Sequence, residues 1–123
     1  MPAYLSDEWI QEADAALRAS GLCTADGERF AVEQRVGEVV FHIVIDDQGA
    51  RVCAGSAVDP AVVLSQSRDA AVAIAQGGLS AEEAVLNGLT VVEGDPLALL
   101  SHHKVLAQAN DVFADLRSRT DWG

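Results

Sequence analysis

Positive charge is scarce in this sequence. Lys and Arg number 8 against 19 Asp and Glu, a net charge of −11 over 123 residues. A chain this acidic repels phosphate backbones and anionic lipid surfaces, so nucleic-acid binding is not expected. Long apolar runs are missing too. No segment approaches the roughly 20 residues of a membrane helix, so stable membrane insertion is not expected. The stretch from Met1 to Glu8 has no basic region leading into an apolar one; no secretory signal is read there, and a cytoplasmic location is expected. The 2 cysteines, Cys23 and Cys53, are far apart and have no CxxC or His-Cys companion. They read as reduced thiols, one in a loop and one in a strand. No G-x-S-x-G elbow, P-loop, H-E-x-x-H or G-x-G-x-x-G occurs, which removes the commonest catalytic and cofactor motifs. Asp46-Asp47 starts like a calcium loop but lacks the rest of its spacing, and reads as a solvated acidic turn. No metal and no cofactor are expected.

Apolar residues, by contrast, make up 50% of the chain, which excludes disorder. The length fits one domain over residues 1–123, able to bury about two-thirds of its unfolded surface without staples. Ser6 to Ser20 reads as a helix, with Ser6 as N-cap, Asp7 and Glu8 at the positive end of its dipole, and Gly21 as the stop. Trp9, Ile10, Ala13, Ala16 and Leu17 form its apolar face. The period then drops to two. Phe30, Val32, Gln34 and Val36 alternate with Arg29, Ala31, Glu33 and Arg35, the pattern of a half-buried strand. Gly37-Glu38 fits a two-residue hairpin loop. Val39 to Ile45 is apolar nearly throughout and is expected to be covered on both faces except around His42. Ala50 to Ala54 completes an antiparallel meander.

Beyond Asp59-Pro60, Ala61 to Gln66 reads as a short strand with Val62 and Leu64 on one face. Ser67 caps a helix from Arg68 to Gln76 that Gly77-Gly78 ends. Ser80 and Glu83 form a capping box for a second short helix to Asn87, and Glu82-Glu83 reads as helix N-terminal charge. Gly88 stops it. Leu89 to Glu93 is a strand, and Pro96 opens one long C-terminal helix. The order predicts an α+β domain with helices over one face of a mixed sheet.

At about 100° per residue, the last helix gathers Leu106, Ala109, Phe113 and Leu116 on one side with His102 near the centre of that stripe. His102 either points into a pocket and bonds the polar end of a bound molecule, or is a core histidine satisfied by a backbone carbonyl; the second is favoured. A metal site with His103 fails because neighbouring helical residues diverge. Gln66 raises a parallel choice. It offers an amide inside an apolar cavity or sits at an exposed strand end, and the second is again favoured.

The segment Gly78-Leu79-Ser80-Ala81-Glu82-Glu83-Ala84-Val85-Leu86-Asn87-Gly88-Leu89-Thr90-Val91-Val92-Glu93-Gly94-Asp95 resembles the signature of the sterol carrier protein 2 (SCP-2) family: a capped helical turn with Ala between glycines, then an apolar strand closed by Gly-Asp. Asp59 to Asp69 and Pro96 to Leu116 are similar to the short strand and closing helix of that family. The resemblance implies an α/β sandwich with a five-stranded sheet and helices on one side, enclosing an apolar tunnel for fatty acids, acyl-CoA or sterols. Carried over by pattern, the lining would be Phe41, Ile43, Val62, Leu64 and Val91 from the sheet, with Gln66 at a strand end. Ile74 and Leu86 would come from the middle helices, and Leu99, His102, Leu106 and Phe113 from the last. The acidic composition and the ending Asp121-Trp122-Gly123 depart from the basic eukaryotic members with their peroxisomal tripeptide, and look like small stand-alone bacterial members.

The expected function is non-catalytic binding or transport of an apolar lipid. The alternative is an interaction module of the same fold that binds a partner protein or assists dimerisation. A catalytic role for His102 as base in steroid or acyl metabolism lacks any second group.

Overall fold

The computed structural model describes residues 3–24, 28–76, 78–79 and 81–122. Helix α1 (Asp7–Ser20) forms where both of its ends are chemically marked. The Ser6 hydroxyl accepts a hydrogen bond from the Trp9 amide at 3.2 Å, and Gly21 takes the left-handed conformation at φ 73°. These satisfy groups that a helix end leaves orphaned. The buried face is Trp9, Ile10, Ala13 and Leu17. Each of its large side chains contributes about 1.5–3 kcal/mol by leaving water.

The meander is β1 (Arg29–Val36), β2 (Val39–Asp46) and β3 (Gly49–Ala54). Gly37, at φ 59°, closes the first turn with Val36 opposite Val39. The chain then crosses from β3 to β4 (Val62–Gln66), which runs parallel to β1, and β5 (Thr90–Gly94) pairs antiparallel with β4. The strand order is β3-β2-β1-β4-β5, a five-stranded mixed sheet with β1 at its centre.

Register sorts the two faces. Phe30, Val32, Gln34 and Val36 lie beside Ile45, Ile43, Phe41 and Val39 on one flank, and Val62, Leu64 and Gln66 continue that face on the other. This face meets the helices: Val36, Phe41, Ile43 and Ile45 share a core with Trp9, Leu17, Ala109 and Leu116. The opposite face is less exposed than alternation predicts, since Ala31, Glu33 and Val44 are all buried. The β3–β4 crossover accounts for it. Its Ala57 amide donates to Glu33 Oε1 at 2.9 Å, its Gly55 carbonyl lies 2.9 Å from His42 Nδ1, and its Val58 carbonyl accepts from Arg29 at 3.2 Å. Arg35 Nε approaches Glu33 Oε2 to 2.7 Å. The hydrogen bond from Arg35, then that from the Ala57 amide, hold the Glu33 carboxyl below its usual range against the opposing effect of burial.

Helix α2 (Arg68–Ala75) starts at Ser67, whose hydroxyl accepts from the Ala70 amide, and α3 (Ala81–Leu86) follows. The expected stop at Gly77 and the Ser80 cap lie outside the described residues. Gly94 is required by its surroundings: at φ 98°, a Cβ there would sit 2.5 Å from the Ala61 carbonyl oxygen. Asp95 Oδ1 then caps the next helix by accepting from the Leu97 amide at 3.0 Å.

The single long C-terminal helix expected from Pro96 is corrected. The structure divides it into α4 (Pro96–Ser101), α5 (His103–Val112) and α6 (Ala114–Ser118), with breaks at His102 and Phe113. At the first break His102 Nδ1 lies 2.9 Å from the Ala98 carbonyl, the same oxygen its own backbone amide reaches at 3.1 Å. A side chain competing for the helical ladder in this way bends the helix. The ring is also stacked on Phe30, with centroids 4.2 Å apart.

The chain ends meet. Tyr4 N donates to the Asp121 carbonyl at 2.9 Å, and Trp9 Nε1 donates to Thr120 Oγ1 at 3.1 Å. The Tyr4 ring touches both Trp9 and Trp122. Among the described residues no helix is long and apolar enough to cross a membrane.

Candidate functional site

The helix-facing side of the sheet is not evenly sealed. On central strand β1, Phe30, Val32 and Val36 are at most 2% exposed, yet Gln34 on the same face is half-buried. Its neighbour Leu64 on β4, and Val92 opposite Leu64 on β5, are half-buried as well. Neither belongs to the core cluster or is packed against it. At the end of β4, Gln66 accepts a hydrogen bond from the Thr90 hydroxyl at 2.9 Å through its Oε1. Among the described residues, nothing engages the Gln66 Nε2 or the Gln34 side-chain amide. The result is an apolar floor carrying the Gln34 amide and the free Nε2 of Gln66, flanked by α3 packed on β5 and α4 packed on β4. Sealing such amides without partners costs about 1–3 kcal/mol each, so this strip stays open to water or to a polar ligand group.

The predicted lining residues fall into distinct places. Phe41, Ile43 and Val62 are buried in the helix-facing side of the sheet. Leu64, Gln66, Ile74, His102, Leu106 and Phe113 are half-buried. Phe113 packs against the core cluster. Leu86 is 84% exposed, because it stands at the outer end of a short helix. Val91 is 55% exposed and lies on the face opposite the helices, since Thr90 and Val92 take the inward positions of β5. Leu99 belongs to α4, and its side chain is outside the described part.

His102 is engaged within the chain through one ring nitrogen. Its Nδ1 serves the Ala98 carbonyl, its ring covers Phe30, and its Nε2 lies 4.0 Å from the exposed carboxylate of Glu28. A nitrogen facing a carbonyl oxygen must carry the proton, so Nδ1 is not free to act as a base. Gln66 is not a bare strand end, since the buried Thr90 holds its side chain. Gln34 is the residue that sequence reading passed over. Its signal was present, as the only polar member of the alternating series Phe30, Val32, Gln34 and Val36.

Two surface concavities lie elsewhere. One of about 380 Å³ is edged by Ser20, Gly21, Leu22, Cys23, Gln108 and Val112, and one of about 250 Å³ by Asp7, Ile10, Gln11, Asp14, Val52 and Ala54. Both are open, both skirt α1, and neither is lined by a predicted site residue. Cys23 and Cys53 are free thiols, and no group of three or more His, Cys, Asp or Glu among the described residues is arranged to hold a metal.

No family model and no curated protein matches the sequence. Solved structures do match by shape. A crystal structure of sterol carrier protein 2 superposes with a TM-score of 0.62 at 17% identity, covering 89% of this chain and 95% of that one. The palmitated SCP2L2 protein of Aedes aegypti superposes with a TM-score of 0.50 at 21% identity, covering 83% and 93%. The stereoselective inverting sec-alkylsulfatase Pisa1 from Pseudomonas sp. matches with a TM-score of 0.59 at 14% identity. There the likeness covers 86% of this chain but only 16% of the sulfatase. The superposition on the first of these spans nearly the whole of both chains: this chain has the fold of sterol carrier protein 2.

Proposed function

We propose that this chain is a non-catalytic binding module for an apolar lipid, held over the β4–β5 floor between α3 and α4. The observation that carries the reading is the half-buried strip of Gln34, Leu64 and Val92 beside the enclosed Phe30, Val32 and Val62. Lipid sites combine mostly apolar walls with a few polar groups that orient the ligand, and this floor supplies both. A similar fold carries palmitate in the Aedes protein, which supports the class of ligand. His102, already engaged by the chain, gives no support to a catalytic reading.

The test is displacement of a fluorescent lipid by unlabelled acyl and sterol competitors. Micromolar binding is expected, about −8 kcal/mol. A complete lack of saturable, competable signal would remove the reading. With a net charge of −11, no preference for anionic over neutral vesicles is expected, because repulsion reaches over roughly 8 Å at physiological salt. Stronger co-sedimentation with anionic vesicles would contradict that.

A second reading is favoured by one observation. Leu86, Leu97 and Leu100 are 84%, 67% and 67% exposed, more than a ligand floor requires. In the partner-binding reading these leucines meet another protein, as they could if the fold were carried within a longer chain. Native mass spectrometry of freshly purified protein separates the two: retained lipid supports the first, and a bare oligomer the second.

A further inference from the structure

The two amides of the floor are neutral, and among the described residues the Gln34 amide and the Gln66 Nε2 have no hydrogen-bond partner. Gln34 and Gln66 stand on the same face of adjacent strands, two residues apart in register, since Gln34 pairs with Leu64 and Gln66 with Val36. The Thr90 hydroxyl uses Gln66 Oε1, which leaves the Nε2 protons as donors. No ion pair or hydrogen bond among the described residues places a cation beside either amide. The cations of the flanking elements have other positions: Arg68 of α2 lies 5.6 Å from the centre of the Tyr4 ring, and Lys104 of α5 is exposed. The flanking elements carry acids instead, with Glu83 on α3 and Asp95 at the head of α4 both exposed.

Resting on the lipid-binding reading, we infer that Gln34 and Gln66 select a lipid whose head is a neutral oxygen acceptor — an alcohol, ketone or ester — over one bearing a carboxylate. The physical reason is asymmetric. An amide N–H satisfies a hydroxyl or carbonyl oxygen without moving any charge out of water. A carboxylate taken to the same place leaves water, gains no countercharge, and enters the field of a chain carrying −11. The floor therefore discriminates by what it omits. Donors are present for an oxygen, and among the described residues no cation is bonded to either amide to receive an anion.

The experiment measures displacement of the hydrocarbon probe diphenylhexatriene by hexadecanol, methyl palmitate and palmitate, all of one chain length, at neutral pH. The alcohol and the ester should displace the probe at concentrations on the order of tenfold below palmitate. In Gln34→Leu with Gln66→Leu, the advantage of hexadecanol over hexadecane should fall to about twofold or less. In Gln66→Arg, which supplies the missing cation, the order should move toward palmitate. Palmitate binding as well as hexadecanol to the unmodified chain would overturn the inference while leaving the lipid-binding reading standing. So would a Gln34→Leu and Gln66→Leu protein that keeps the full preference for the alcohol. Failure of the probe itself to bind saturably would overturn both.

Discussion

Around β1, β2, β3 and α1, apolar side chains are enclosed: Leu17, Ile45 and Leu116 have no exposed surface, and Phe30 only 1%. Around α3, β5 and α4, on the same sheet, Leu86 is 84% exposed, Leu97 and Leu100 each 67%, and Leu89 47%. The two edges of the sheet show the same contrast. Edge strand β3 is covered by α1, and its Val52 amide is taken by the Asp14 carboxylate at 3.0 Å. At the other edge, Val91 of β5 stands in solvent. Since apolar burial is the main driving force of folding, the first region stabilises the chain, and the second leaves apolar surface in contact with solvent.

Mutations can break or sharpen this contrast. The largest effect is expected for Leu17→Ala, which empties a fully enclosed site and should cost about 2–5 kcal/mol in chemical denaturation. It should leave lipid displacement unchanged well below the melting point. A loss below about 1 kcal/mol would mean that the packed region is looser than its burial implies.

Glu33→Gln comes next. It removes one of two acceptor oxygens under the crossover and should cost about 1–3 kcal/mol near neutral pH. The pH dependence has a definite sign. The folded carboxyl titrates below its unfolded range, so its stabilisation is present above the ordinary carboxylate pKa and is lost as pH falls through the folded value. Denaturation curves of the wild type and Glu33→Gln should therefore converge in acid. A gap that widens as pH falls would contradict the assignment.

His102→Leu should destabilise by about 0.5–1.5 kcal/mol, the scale of one neutral hydrogen bond. Lipid affinity should stay within about twofold, because the ring serves Ala98 and Phe30 rather than a ligand. A loss of affinity at unchanged stability would reverse that conclusion and extend the open region to the α4–α5 junction. The smallest effect belongs to Leu100→Ala, expected within about 0.5 kcal/mol of wild type. A cost well beyond that would show that the exposed leucines already have a partner, such as a second copy of the chain.

What was legible in the sequence followed local chemistry. Ser6 and Gly21 bounded α1, the alternation from Phe30 to Val36 marked β1, and Gly88, Gly94 and Asp95 punctuated the segment that resembled SCP-2. What was not legible depended on partners distant in the chain. The burial of Ala31 and Glu33 comes from a crossover some 25 residues later, as the Ala57 to Glu33 bond shows with a separation of 24. At the break in the last helix, the His102 ring stacks on Phe30, a residue distant in the chain. Val91, carried over from the resemblance, lies on the face opposite the helices, and a strand's two faces differ by only one residue. Gln34 and Gln66 were visible as letters, but whether an amide finds a partner is a fact of tertiary structure.

The joined chain ends have a consequence for engineering and for descent. Residue 3 forms a bridge with residue 121, and the aromatic rings of Tyr4, Trp9 and Trp122 clasp beneath it. A sequence whose two ends lie side by side can be sewn into a loop of a host without stretching either junction. It can also be closed by a short linker and reopened at the Gly37-Glu38 turn, keeping every strand neighbour while changing the order in which the strands are synthesised.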